Sequence, residues 1–231
     1  MSVKADEPFA VHGLQLIRAS PYNPRIMVKV KICGNTNLDD TMAAVQAGAD
    51  AVGFVLYAKS PRAISAKTAA DIIARLPPFV TPVGVFVDED LQVVRERMDE
   101  CGLLLAQLHG SESPEYCKDL KRAVVKAVRV RDRRDFELMS RYQVAGYLLD
   151  AYVQGIPGGT GMAIDWDLAA DAAQLGPIVL AGGLTPDNVE EAIRRARPYG
   201  VDVTSGVEAS PGKKDHAKLR TFVANAKSSI W

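Results

Sequence analysis

Neither sign of charge is in excess, because 28 lysines and arginines stand against 28 aspartates and glutamates. Without a basic block there is no electrostatic ground for a nucleic-acid partner. No apolar run comes near the roughly 20 residues that cross a bilayer as a helix, so no membrane partner is expected either. Cysteine is scarce. Cys33, Cys101 and Cys117 are odd in number and lack metal-ligand spacing, which argues against a disulfide framework and for a reducing compartment. The opening stretch MSVKADEPFAVHGLQLIRAS is too polar and too interrupted for a secretory signal. A cytoplasmic protein is expected.

What the chain has instead is one unit repeated. From Val28 onward, short apolar runs alternate with amphipathic segments. Strands are predicted at 28–33, 51–56, 82–87, 104–109, 124–130, 146–152, 177–183 and 201–206. Spacing of roughly 20–30 residues between strand starts leaves room for one crossover helix each. Helix starts are marked by Asn37, Ser65 and Ser113, the last followed by Pro114, and by the similar pair Thr185-Pro186. Gly48 marks the end of the first helix. GADAVGFV and GVDVTSGV, near opposite ends of the chain, echo one another. Alternating βα units favour a parallel sheet covered by helices. Eight of them favour a closed sheet with no edges, a single (β/α)₈ TIM barrel of the α/β class over 28–231. Residues 1–27 read as an N-terminal extension, and an open, doubly wound sheet is the alternative fold.

In such barrels, chemistry sits in the loops after the strands. The strand ends here offer Cys33, the stretch Lys59 to Arg62, Asp88, His109, Arg129, Asp150, Gly182-Gly183 and Ser205-Gly206. Glycine turns after strands seven and eight suit a phosphate, whose oxygens need closely approaching backbone N–H groups. Asp150 reads as a helix cap, a partner for a cation, or an acid–base group. The glycine-rich stretch after it reads as a loop that covers a ligand or as an ordinary connection.

Alternation puts Lys31 and Cys33 on one face of the first strand and Val30 and Ile32 on the other. A buried cysteine is commonly just a small apolar residue. If Cys33 faces inward, Lys31 comes with it and needs a partner. Asp202 on the eighth strand is that partner, which predicts an interior Lys31–Asp202 ion pair.

Taken together, KICGNTN, GADAVGFVLYAKSPR, GVFVDE, AQLHG, LLDA, GGTG, LAGGLTPDNV and VDVTSGVEASPGKKD resemble, in content and order, the phosphoribosylanthranilate isomerase family of tryptophan biosynthesis. The resemblance implies a barrel enzyme that performs an Amadori rearrangement with general acid–base groups, no redox cofactor and no metal. It implies Asp150 as the acid and Cys33 as the base, and a thiol acts as a base only when ionised. It implies Arg62 against the anthranilate carboxylate, His109 as a binding or structural group, and Gly159 in the loop. Gly183, Ser205 and Gly206 would hold the phosphate. The partner implied is a small phosphorylated sugar, bound by a monomer or homodimer.

Three positions depart from the family pattern: Asn35 where an apolar residue is common, Thr204 where serine is usual, and Met162 after the glycine-rich loop. The loop after Asp150 is also long. A related isomerase of histidine biosynthesis, or a dual-function relative, carries an aspartate at the position of Cys33, so the thiol argues against both. A silent phosphate-binding protein would lack the acid or the base, and this chain has both.

Overall fold

The computed structural model describes residues 27–151 and 165–229. The first 26 residues of the expected extension, and the loop with Gly159 and Met162, lie outside the described residues. In chain order the main elements are β1 (Lys29–Ile32), α1 (Leu38–Ala47), β2 (Ala51–Val55), α2 (Ala66–Ile73), β3 (Thr81–Phe86), α3 (Leu91–Cys101), β4 (Leu105–Leu108) and α4 (Pro114–Leu120). They continue as β5 (Val124–Val130), α5 (Asp135–Met139), β6 (Gly146–Ala151), α6 (Trp166–Ala172), β7 (Ile178–Leu180), α7 (Val189–Ala196) and β8 (Gly200–Val203). A hairpin of β9 (Glu208–Ser210) and β10 (Lys213–Lys214) precedes the closing helix α8 (His216–Ser228).

Strands β1 to β8 pair in sequence order, and β8 pairs in parallel with β1 to close the barrel. The open sheet is thereby excluded. All eight expected strands are present; β5 keeps its expected bounds and the others differ by one to three residues at an end.

Two layers of apolar side chains hold the barrel. The outer layer lies between strands and helices, where Val30 and Ile32 meet the buried faces of α1 and α8. On α7 that face is Val189, Ala192, Ile193 and Ala196, and on α8 it is Leu219, Phe222, Val223 and Ala226. Both follow the i, i+3, i+4, i+7 spacing of a helix with one apolar stripe. The inner layer is thinner and holds two small groups. Cys33, Val55 and Val85 form one, and Ala127, Leu148 and Ala181 the other.

The helix punctuation is local chemistry. Asn37, Ser65 and Ser113 each accept a hydrogen bond from the backbone N–H three residues on, at 2.8, 3.0 and 3.1 Å. Gly48 ends α1 in the left-handed conformation. Thr185-Pro186 caps in a related way, with Thr185 Oγ1 accepting from the Asp187 N–H at 3.3 Å and Thr185 O from the Val189 N–H at 3.2 Å. Asn188 Oδ1 accepts in return from the Thr185 N–H at 2.8 Å, and regular α7 follows from Val189. The small hairpin β9–β10 was not anticipated in a stretch read as a phosphate turn.

The first strand resolves the choice of face. Lys31 and Cys33 point into the barrel, and Lys31 Nζ donates to Asp202 Oδ1 at 2.8 Å as expected. The two residues are direct neighbours in the β1–β8 register. Burial alone would pull the Lys31 ammonium down, but Asp202 and Cys33 together hold it above the ordinary lysine value. Removing one partner of a buried pair leaves a charge without compensation and typically costs about 3–5 kcal/mol. Asp202→Asn should therefore lower the urea-unfolding free energy by about that amount. Exchanging the two charges in a double variant should return much of the loss, and no recovery would mean that the pair does not act as a unit.

Candidate active site

The C-terminal mouth of the barrel is built from the ends of all eight strands, and it gathers the sequence-predicted residues unevenly. Cys33 follows β1 and is 5% exposed, its N–H donating to Val203 O at 2.9 Å. Room for its side chain comes from β2. A Cβ on Gly53 would lie 2.8 Å from Cys33 Sγ and 3.0 Å from Lys31 Nζ. Any side chain there would displace both, so the glycine is what lets a thiol and an ammonium share this spot. The other two cysteines differ in kind. Burial raises the thiol of Cys101 and pushes Cys117 up to about 11, as befits small apolar fillers behind the sheet.

Asp150 is the last-but-one residue of β6, its side chain almost wholly buried, two residues beyond inward-facing Leu148. His109 Nε2 stands 3.4 Å from Asp150 Oδ2, and the other ring nitrogen meets Gln107 Nε2 at 2.9 Å. Gln107 is buried and was not singled out from sequence, because an amide inside a strand run carries no motif. The chain Gln107–His109–Asp150 fixes the imidazole at both ends.

Behind His109 lies a buried joint. Lys126 donates to Leu108 O at 3.1 Å, Gly110 O at 2.7 Å and Glu112 Oε2 at 2.9 Å. Glu112 in turn accepts from the N–H groups of Asp88 and Gly110. Asp88 itself is exposed and accepts from the Ser111 N–H. Its part is therefore to tie loops together, and Lys59 is exposed on its own loop.

Arg62 lies across the mouth from Asp150. Its Nε donates to Glu208 Oε1 at 2.9 Å and its Nη2 to Glu208 Oε2 at 2.7 Å. Lys214, fully buried, donates to Cys33 O at 2.5 Å and reaches Glu208 Oε1 at 3.3 Å. Burial opposes the Glu208 charge, yet Arg62 and Lys214 hold its carboxyl below the ordinary glutamate value. Burial also pulls the Lys214 ammonium below the ordinary lysine value, although Glu208 and Cys33 act the other way. Neither Glu208 nor Lys214 was picked out from sequence. The Pro211-Gly212 dipeptide between them was the available hairpin signal.

The turns after β7 and β8 meet directly. A Cβ on Gly206 would fall 2.0 Å from Leu184 O, so only glycine allows this approach. Gly183 and Gly206 are half-buried and Ser205 is exposed. Ser205 and Gly206 open a short 3₁₀ turn, whose first N–H groups have no acceptor within the turn. Asn188 Nδ2 donates to Gly183 O at 2.9 Å and steadies the first of these turns. Two of the three departing residues lie among those described, and Asn35 is accommodated incompletely, because its buried Oδ1 has no hydrogen-bond partner among the described residues. Asn35 is buried, donating to Ile32 O at 2.8 Å and Gly53 O at 3.2 Å, and Thr204 packs its methyl towards Gly34.

Comparison with known proteins agrees with this geometry. Residues 30–225 match the family model described as N-(5′-phosphoribosyl)anthranilate (PRA) isomerase. The N-(5′-phosphoribosyl)anthranilate isomerase of Pelobacter propionicus is 54% identical over 203 residues, covering 88% of this chain and 97% of the relative. A crystal structure of phosphoribosylanthranilate isomerase in complex with reduced 1-(o-carboxyphenylamino)-1-deoxyribulose 5-phosphate superposes with a TM-score of 0.79. It is 45% identical and covers 87% of this chain and 99% of that one. A structure of monomers generated from the dimeric enzyme of Thermotoga maritima gives a TM-score of 0.78 at 43% identity, covering 87% of this chain and 99% of its own. The chain belongs to the N-(5′-phosphoribosyl)anthranilate isomerase family.

Proposed function

We propose that Cys33 and Asp150 are the base and the acid with which this chain performs its family's reaction. That reaction is the Amadori rearrangement of N-(5′-phosphoribosyl)anthranilate to 1-(2-carboxyphenylamino)-1-deoxyribulose 5-phosphate, a step of tryptophan biosynthesis. Asp150 gives a proton to the furanose oxygen, and the C1′–O bond breaks to leave a protonated Schiff base. The Cys33 thiolate takes the C2′ proton, and the electron pair released neutralises the iminium as an enolamine. Tautomerisation of the enolamine, with a proton gained at C1′ and one lost from the C2′ hydroxyl, gives the ketone. Positioned acids and bases of this kind typically contribute about 10²–10⁴-fold each.

The observation that carries this reading is the thiol and the ammonium of Lys31 side by side over Gly53, where the cation is a ready counter-charge for a thiolate. His109, braced by Gln107, supports the orientation of Asp150. Arg62 is the contact for the anthranilate carboxylate, a planar group suited to its donor fork. Gly183, Ser205 and Gly206 supply N–H groups to the phosphate, and Gly159 contributes from the loop after β6. Residues 1–27 form an extension outside the catalytic unit 28–231. We place the protein in the cytoplasm, in keeping with three free, buried cysteines. No helix among the described residues is long and apolar enough to cross a membrane.

Association as a homodimer is supported by the opposite end of the barrel. Met27, Phe79, Leu104 and Tyr199 are exposed there, just ahead of β1, β3, β4 and β8. Phe79 is fully exposed and sits at φ 71°, a conformation that costs a bulky residue energy. The related Thermotoga maritima enzyme is described as dimeric. Phe79→Ser should halve the sedimenting mass and leave turnover per subunit unchanged. A wild-type chain that already sediments as a monomer would refute the dimer.

The function is tested by the loss of phosphoribosylanthranilate fluorescence on adding purified protein, with the corresponding histidine-pathway substrate run alongside. Turnover of the first substrate alone is expected. Cys33→Ala and Asp150→Ala should each lower kcat by about 10²–10⁴ while the thermal melt stays near that of the wild type. Near-normal turnover by Cys33→Ala would remove the thiol from the mechanism.

A further inference from the structure

Arg62, the contact proposed for the substrate carboxylate, already holds a carboxylate of the protein. Its Nε and Nη2 hydrogen bonds to Glu208 fill one edge of the guanidinium. Nη1 makes no hydrogen bond to any described residue. A guanidinium has a second donor edge, formed by Nη1 and the remaining hydrogen of Nη2, that is parallel in design to the first. Binding Glu208 therefore orients Arg62 without using up its capacity.

Two further features fix where that second edge points. The aliphatic stem of Arg62 lies on Gly34, where a Cβ would meet Arg62 Cδ at 2.8 Å. Gly34 has φ 73° and follows Cys33 directly, so the guanidinium is registered against the residue that bears the thiol. The charge count matters as well. Arg62 and Glu208 alone would make a neutral pair with little pull on an anion. Lys214 adds a second cation to the same carboxylate and keeps the group positive overall.

We propose that Glu208 is a positioning residue for carboxylate recognition. By holding one edge of Arg62, with Lys214 supplying the extra charge, it presents the other edge to the ring carboxylate of the substrate. This inference rests on Arg62 being the carboxylate contact. Because Lys214 also holds the Cys33 carbonyl, the same carboxylate ties the anion contact to the backbone of the thiol.

The test compares two ligands by calorimetry. One is reduced 1-(o-carboxyphenylamino)-1-deoxyribulose 5-phosphate, and the other is its counterpart lacking only the carboxylate. The wild type should prefer the carboxylated ligand by about ten- to a hundredfold, the range of a charge-assisted hydrogen bond. Glu208→Gln should reduce that ratio about tenfold and leave affinity for the ligand without the carboxylate unchanged. Arg62→Lys keeps the charge but has no second edge, and it should reduce the ratio similarly. It is half-buried at the rim and serves if Glu208→Gln does not fold.

The two hypotheses at stake fail differently. If Arg62→Met keeps the wild-type ratio, Arg62 is not the carboxylate contact and the site reading falls. If Arg62→Met loses the ratio while Glu208→Gln and Arg62→Lys keep it, the positioning role alone is overturned. Glu208→Gln also raises the local positive charge, so a ratio that increases would show Glu208 to be a mere charge moderator and would overturn the proposal. An equal loss for both ligands would do the same, since it indicates a structural role only.

Discussion

The mouth of this barrel depends on the sheet closing between β1 and β8. The two strands pair from Lys29 opposite Gly200 to Ile32 opposite Val203. Within that pairing, Lys31 and Asp202 meet inside the barrel at 2.8 Å. A slip of one residue would reverse every side chain of β1. Val30 and Ile32 would enter the narrow interior, Lys31 would turn towards the helices, and Asp202 would remain buried without its cation. The ion pair thus penalises the wrong register more than it strengthens the right one, because buried pairs lose much of their attraction to desolvation. Correct register is also what brings the Cys33 N–H to Val203 O and the thiol to the site.

Around that closure the protein uses buried carboxylates as joints. Glu112 gathers the loops after β3 and β4 and is matched by Lys126 from β5. Glu208 gathers the loop after β2 and the hairpin after β8, and is matched by Lys214. In both joints the lysine also donates to backbone carbonyls at a strand end, those of Leu108 and Gly110 in one and of Cys33 in the other. Loops that carry function have few apolar contacts to hold them. Charge-assisted hydrogen bonds to several loops at once supply the missing definition.

Much of this architecture was legible in the sequence because it is written in short-range terms. Strand runs, the Asn37, Ser65 and Ser113 caps and the Gly48 stop are each decided by neighbours within a turn or a pleat. Thr185-Pro186 belongs with them, since Thr185 and Asn188 exchange hydrogen bonds within the turn that leads into α7. The β9–β10 hairpin stayed hidden because strands of three and two residues show no periodicity. Lys31–Asp202 was legible once the strands were numbered, since both the closure and the charge are then forced. The Arg62–Glu208–Lys214 group was not, because nothing near position 62 in the chain points to position 208. Gln107 was missed for a related reason, since an amide in a strand announces itself only through the imidazole it meets in space.

The span of these contacts bears on how the protein is made. Cys33 directly follows the first strand of the barrel, but the groups that hold its surroundings are separated from it by most of the barrel. Lys31 meets Asp202 across 171 residues, and the Cys33 carbonyl meets Lys214 across 181. A nascent chain leaving the ribosome at about 5–20 residues per second therefore carries the Cys33 thiol for roughly 10–35 seconds before the strand and hairpin that enclose it exist. Until then the first strand is an open edge with a lysine that has no counter-ion. That edge closes only when β8 and the β9–β10 hairpin have been made.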